Sequence, residues 1–361
     1  MKTLFCWMSA LGLLMAGAGP APGQTINFRL SVKIIVDPVR GAWPAGVTSE
    51  MITNGVAAAN AWMAAYWRGY RFQLTEVTAI GGPTQGGVSG PSKWFGVDPR
   101  DPLSVWSAFQ ADARNNALYL RRTDAINFYI SKPTDWNTGG AAPFPWETTA
   151  NNWTVCWGIV NDGAFWLVHE TGHYFGLPHT HGGCGCPSTG GCTYMNGYWV
   201  GDDNIADTLP EAAGDFCFTN IDLLTLANFN QYFASCTPAQ QTLAMNTFSN
   251  VMSYHDPPHK DTLISLMTEL QLDLHGTYAN SDRFPVASGH TRFVSLSGND
   301  GYSGFDSTAP KRTVSNATTA SSAAGTDIVL LRPGSYNEQI TINRPVTLRA
   351  AHSGWATVGK P

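Results

Sequence analysis

Charge is scarce in this chain. Of 361 residues, 21 are Lys or Arg and 26 are Asp or Glu, 13% together, for a net charge of −5. With 43% hydrophobic residues, the chain can bury a sizeable core, which excludes an intrinsically disordered protein. The mildly acidic balance, with no basic stretch, excludes a general binder of nucleic acid or of anionic membrane. Past the N-terminus, no apolar run reaches the roughly 18–20 residues that cross a bilayer. What the chain has in quantity is Gly (37), Pro (22) and Trp (13). The first two favour a loop-rich fold, and tryptophans fill cores or line grooves.

The N-terminus has the pattern of an export signal. Lys2 is followed by the apolar stretch Leu4 to Ala18 and then by Gly19, Pro20, Ala21, Pro22 and Gly23. Residues 1–23 are expected to be removed near Gly23–Gln24, giving a secreted or cell-surface protein. The alternative is an uncleaved anchor. Removal takes Cys6 and leaves Cys156, Cys184, Cys186, Cys192, Cys217 and Cys236. An even count in an exported chain points to disulfides of undetermined pairing. A structural zinc site competes with that reading, but the spacing is not paired CxxC. Only a few residues lie between the cleavage point and the first expected strand, so no folded pro-domain is expected ahead of it.

Patterning gives a strand at Phe28–Val36, a helix at Thr48–Trp67 with Thr48 or Ser49 as its N-cap, and a strand at Tyr70–Val77. A glycine-rich loop, Gly81–Gly90, leads to a helix at Leu103–Arg122 and a strand at Ala125–Ile130. The strand Trp153–Val160 is either the edge that receives an extended peptide or a buried core strand. The helix Ala164–Phe175 stops at Gly176. An irregular stretch follows, helical near Asn220–Phe233, and then a helix at Leu263–His275. After about Tyr278 the composition shifts to Ser, Thr, Gly and β-branched residues, with strands expected at Asp327–Leu331 and Gln339–Leu348.

Chemistry concentrates in His169-Glu170-Thr171-Gly172-His173-Tyr174-Phe175-Gly176-Leu177-Pro178-His179. On a helix, His169 and His173 share one face and can grip one Zn²⁺. Glu170, rotated by about 100°, reaches a water rather than the metal. Gly176 accepts the left-handed backbone that ends a helix, so His179 can return as a third ligand and leave a fourth position for water.

This motif resembles that of the metzincin clan of zinc metalloendopeptidases. The resemblance assigns Asn250-Val251-Met252-Ser253-Tyr254 to the methionine turn beneath the metal. Met252 would be its floor, and Tyr254 a residue that stabilises the transition state. Within the clan, Gly201-Asp202-Asp203-Asn204-Ile205-Ala206-Asp207-Thr208-Leu209-Pro210 is most similar to a stretch of the pappalysin family, from which Leu209 departs. Members often hold structural calcium there. Asp202, Asp203, Asn204, Asp207 and Thr208 supply the oxygens that Ca²⁺ prefers, and a solvated acidic turn is the alternative.

The resemblance implies an α+β zincin-like catalytic domain over residues 24–286, with a mixed twisted sheet and an active-site helix. Residues 287–361 form a short β-rich segment, similar to the first coil of a pectin-lyase-like parallel β-helix. That boundary predicts that residues 24–286 fold and bind zinc alone. The implied function is a secreted zinc metalloendopeptidase that hydrolyses peptide bonds in proteins, with Glu170 as general base. The partner is a protein or peptide substrate, with no nucleic acid and no membrane span after signal removal. The alternative is a non-catalytic surface-binding or adhesive protein on the same scaffold. Retention of Glu170 beside three histidines argues against it. A carbohydrate-active protein, suggested by the C-terminal segment, is disfavoured because that segment is short.

Overall fold

The structure is a computed structural model. It describes residues 25–65, 68–97, 103–131, 140–146, 153–156, 163–180, 193–195, 198–200, 250–252, 267–281, 283–351 and 354–359, with Ile205, Thr208, 237–239, 241, 242 and 246 between them. The signal segment, the helix expected near Asn220–Phe233 and the cysteines other than Cys156 lie outside the described residues.

A five-stranded sheet organises the first part: β1 (Ile26–Val36), β2 (Tyr70–Gly81), β3 (Ile126–Ile130), β4 (Gly140–Ala141) and β5 (Trp153–Cys156). Its order is β2-β1-β3-β5-β4. β1, β2, β3 and β5 run parallel, and β4 is antiparallel to β5. The sheet is therefore mixed, as expected, but its edge differs from one of the two readings of Trp153–Val160. β5 pairs with β3 on one side and with β4 on the other, so it is interior, and β4 is the edge among the described residues.

β1 shows why the sheet has two faces. Ile26, Phe28, Leu30, Val32, Ile34 and Val36 all join one core cluster, as the period of two requires. That face is covered by α1 (Ser49–Ala65) and α3 (Gly163–Tyr174). α1 is capped by Thr48, whose hydroxyl accepts from Met51 N at 3.2 Å. Its Ile52, Val56, Ala59 and Met63 form the buried stripe. On the opposite face, Ile35, Ile80 and Tyr129 pack with Phe109 and Ala113 of α2 (Leu103–Asn115).

α2 ends seven residues before the expected Arg122. Asn116 turns its side chain to accept from Leu118 N at 2.9 Å, starting a short 3₁₀ turn instead of continuing the helix. β2 runs four residues past Val77, to Gly81. The helix expected at Leu263–His275 begins and ends later, as α4 (Glu269–Asn280). Its start is set by a capping box, in which Thr268 accepts from Gln271 N and the Gln271 side chain accepts from Thr268 N.

In the C-terminal part, β8 (Thr291–Val294), β9 (Ile328–Leu331) and β11 (Thr347–Ala350) form a parallel sheet ordered β11-β9-β8, and β10 (Gly334–Tyr336) pairs in parallel with β12 (Ala356–Val358). A short helix, α5 (Val314–Ala320), covers it. The strand expected at Gln339–Leu348 is instead Thr347–Ala350, because Pro345 has no N–H to give a ladder. β6 (Thr193–Met195) and β7 (Tyr198–Val200) form a separate hairpin.

This part packs on the first. Phe28 and Ala287 form a bridge, and Asn27 and Ser288 exchange two hydrogen bonds, at 2.8 and 3.0 Å. The Tyr70 hydroxyl meets that of Thr291 at 2.9 Å. Asp273 of α4 joins Arg68 at 2.9 Å and Arg332 at 3.1 Å. Ile328 belongs to the same core cluster as β1.

Candidate metal centre

α3 carries the motif. Leu167 and Val168 anchor the helix in the core, and this fixes the rotation that presents His169, Glu170 and His173. The helix stops at Gly176, whose φ is +86°. Leu177 N then bonds to Gly172 O and Gly176 N to His173 O, both at 2.9 Å, which is the Schellman pattern. A Cβ at Gly176 would also overlap the Tyr278 ring. Glycine is therefore required twice over, by backbone conformation and by close packing.

Each imidazole is oriented by a backbone carbonyl. His169 Nδ1 lies 2.6 Å from Val251 O, and His173 Nδ1 lies 2.7 Å from Leu177 O. A carbonyl only accepts, so both Nδ1 atoms carry the proton and both Nε2 atoms present a lone pair. Burial pushes the His173 imidazole down to about 4, against a smaller upward pull from its bond to Leu177 O. It is therefore neutral at pH 7, as a ligand must be. His179 is brought in by the bond from Thr180 N to Met252 O at 3.1 Å.

The three side chains converge. His179 Nε2 lies 3.0 Å from His173 Nε2 and 3.3 Å from His169 Nε2, and one ligand atom from each falls within 4.8 Å of the others. Two nitrogens bound tetrahedrally to one Zn²⁺ at about 2.0–2.1 Å would be about 3.4 Å apart. A proton on His179 Nε2 could serve only one neighbour, whereas a divalent cation serves all three. The donor set of three imidazole nitrogens fits zinc.

Met252 is fully buried beneath the helix. A Cβ on Gly172 would come within 2.6 Å of its Sδ, so the absence of a side chain at Gly172 lets the methionine pack directly against the helix. Two residues that the sequence reading did not single out hold this turn. Asn250 Oδ1 accepts from Met252 N at 2.8 Å, and Asn250 Nδ2 donates to Gln271 Oε1 at 2.8 Å. The Thr268-x-x-Gln271 capping box was a readable signal for the second of these. Asn250 had no signal beyond its place before the turn.

Glu170 is buried beside the histidines. β4 lies against it, and a Cβ on Gly140 would overlap the Glu170 carboxylate. The edge of the sheet thus passes directly over the acid. Tyr254 lies outside the described residues, as do Asp202, Asp203, Asn204 and Asp207. Of the expected calcium set, Thr208 is described. It is buried, and its hydroxyl donates to Ile205 O at 2.9 Å.

No family model and no curated protein sequence matches the chain. Among solved structures it is similar to mature mirolysin of Tannerella forsythia in complex with a cleaved peptide, at 17% identity over 73% of this chain and 96% of that one, with a TM-score of 0.43. Mirolysin in complex with a small compound has the same identity and coverage, at 0.42. Tannerella forsythia promirolysin matches at 15% identity over 73% and 84%, also at 0.42.

Proposed function

We propose that this chain is a zinc-dependent endopeptidase of the metzincin type. The observation that supports it most directly is the convergence of three imidazole nitrogens, two with their Nε2 lone pairs fixed by backbone carbonyls, beside one buried glutamate under a sheet edge. When bound, zinc supplies Lewis acidity toward a carbonyl and brings a water's pKa to about 7.

The chain's own residues do the rest. His169, His173 and His179 hold the ion. Glu170, one residue along from His169, takes the proton of the attacking water and gives it to the leaving amine. Tyr254 stabilises the developing oxyanion. β4 pairs with β5 on one side, and its other edge receives an extended peptide. That would place the scissile bond above Glu170, because β4 lies on Glu170 at Gly140. Secretion, disulfides and a structural calcium at Asp202, Asp203, Asp207 and Thr208 belong to the same reading, and added calcium raising the melting temperature would test the last.

The test is turnover of unfolded casein by the full chain. Cleavage should be abolished by a zinc chelator, restored by zinc, and lost in Glu170→Gln, which should still bind one zinc. Chelator-resistant cleavage, or an active Glu170→Gln, would sink the assignment.

A further inference from the structure

The segment that follows β4 carries aromatic side chains with no part in the hydrolytic chemistry. Phe144 is buried, and its ring meets the His173 imidazole edge-on at 5.1 Å between centroids. Trp146 stacks on Phe144 at 4.6 Å with an interplanar angle of 11°. Tyr278 of α4 flanks the indole at 6.0 Å. Trp146 nonetheless remains 36% exposed. The rings form a continuous aromatic wall that starts at a metal-site histidine and ends at solvent.

The wall is rigidly mounted. Pro143 and Pro145 flank Phe144 and fix the backbone on both sides. Pro143 O accepts from Arg283 Nη2 at 3.3 Å, and Arg283 Nε donates to Tyr174 O at 3.0 Å. The buried Arg283 guanidinium lies over the Tyr174 ring at 4.2 Å. One arginine therefore ties this segment to the end of the metal-bearing helix. A tryptophan held in this way offers contact area with little ordering cost on binding. A lone exposed apolar residue is ordinary on a protein surface. One stacked in place beside a metal site and continuous with a strand edge is a prepared surface.

Its reach follows from geometry. The stacked rings put the indole at most about 10 Å from the His173 ring, and an extended peptide rises about 3.3 Å per residue. We infer that Trp146, seated on Phe144, forms a subsite for a bulky apolar side chain, aromatic or branched aliphatic, two or three residues from the scissile bond. This rests on the peptidase reading and goes beyond it by naming a substrate feature and the residue that selects it. Trp146 is a specificity-determining residue with no contact to the reacting atoms.

The experiment uses the zinc-loaded full chain and quenched-fluorescence peptides of one sequence. These carry Ala, Leu or Phe at each position two or three residues from the cleaved bond, on either side. At one such position, Leu or Phe should raise kcat/KM about 10-fold over Ala, as an apolar pocket does. In Trp146→Ala that ratio should collapse toward 1, with the bulky peptide losing about 10-fold more than its Ala counterpart. Trp146→Phe should keep most of the preference. An unchanged ratio in Trp146→Ala overturns the inference, and so does an equal loss on both peptides, which would mark a structural role. Cleavage with no apolar preference at any of these positions overturns this inference and leaves the peptidase reading standing. Failure of the zinc-loaded wild type to cleave any peptide overturns both.

Discussion

His169 and Val251 are 82 positions apart, yet the imidazole Nδ1 of the first lies 2.6 Å from the carbonyl oxygen of the second. The residue that orients one histidine of the triad toward the other two is thus the chain neighbour of the methionine packed against Gly172. Support and orientation come from one short turn.

That turn is held by Asn250, which bonds both Met252 N and Gln271. Asn250→Ala should leave Val251 O free to drift and leave buried polar groups unmatched. Zinc affinity should fall about 10–100-fold, as when orienting partners of metal-site histidines are lost, and stability by about 1–3 kcal/mol. Competition with a coloured chelator measures the first and urea denaturation the second. Unchanged zinc affinity would show that the turn does not depend on Asn250.

Single replacements in the triad should differ from that graded loss. His169→Ala, His173→Ala and His179→Ala should each drop zinc content well below one ion per chain, because a site with three protein ligands has none to spare. Metal analysis after dialysis decides it. Full occupancy in His179→Ala would remove that residue from the ligand set.

Gly140 offers a test of Glu170 that leaves the acid itself in place. A methyl group at 140 would overlap the carboxylate. Gly140→Ala should retain zinc while kcat falls by about 10²-fold, the cost of displacing a catalytic group by about 1 Å. Wild-type kcat in Gly140→Ala would mean that β4 does not constrain Glu170.

Acid sensitivity should trace in part to His275. It is buried against Phe28, Tyr70 and Phe175, and burial, with the nearby Arg68 charge, pushes its imidazole down to about 3. A folded pKa below the unfolded value of about 6.5 means that the unfolded chain binds the extra proton. The stability from keeping it neutral is present above about pH 6.5 and is lost as pH falls toward 3. At pH 5 the loss is on the order of 2 kcal/mol. His275→Phe keeps the aromatic packing and should melt with a smaller drop between pH 7 and pH 5 than wild type. Equal drops would acquit His275.

The seam bears on residues 24–286 as an independent unit. A chain ending at residue 286 lacks Ile328 from the main core, Arg332 from Asp273 and Thr291 from Tyr70. Against the expectation from composition, it should melt about 10 °C lower than the full chain or be insoluble, from the loss of a few kcal/mol of burial and pairing. Calorimetry of the two chains side by side measures it. Equal melting temperatures would support a domain boundary at residue 286.

What could be read from sequence was local. The spacing of His169, Glu170 and His173 is a property of one helix, and Gly176 and His179 follow within six residues. The cap of α1 was narrowed by its neighbours to Thr48 or Ser49, and the structure selects Thr48. What was hidden depends on partners far along the chain. Gly140 looks like any loop glycine until β4 is seen lying on Glu170. Trp146 is one tryptophan among thirteen until Phe144 stacks it beside His173. The interior position of β5 depends on the two-residue strand β4, too short for any alternation pattern to reveal.

Asn27 and Ser288 are 261 positions apart, yet Asn27 N donates to the Ser288 hydroxyl and Ser288 N donates to Asn27 O. During synthesis at about 5–20 residues per second, the free edge at the start of β1 therefore waits roughly 10–50 s before its second partner has been made. Until then the start of β1 is paired with β2 along one edge only, and the main core lacks Ala287 and Ile328. The native state is reached only after most of the chain has left the ribosome, which sets a minimum interval in which the first strand must be kept from pairing with a neighbour's.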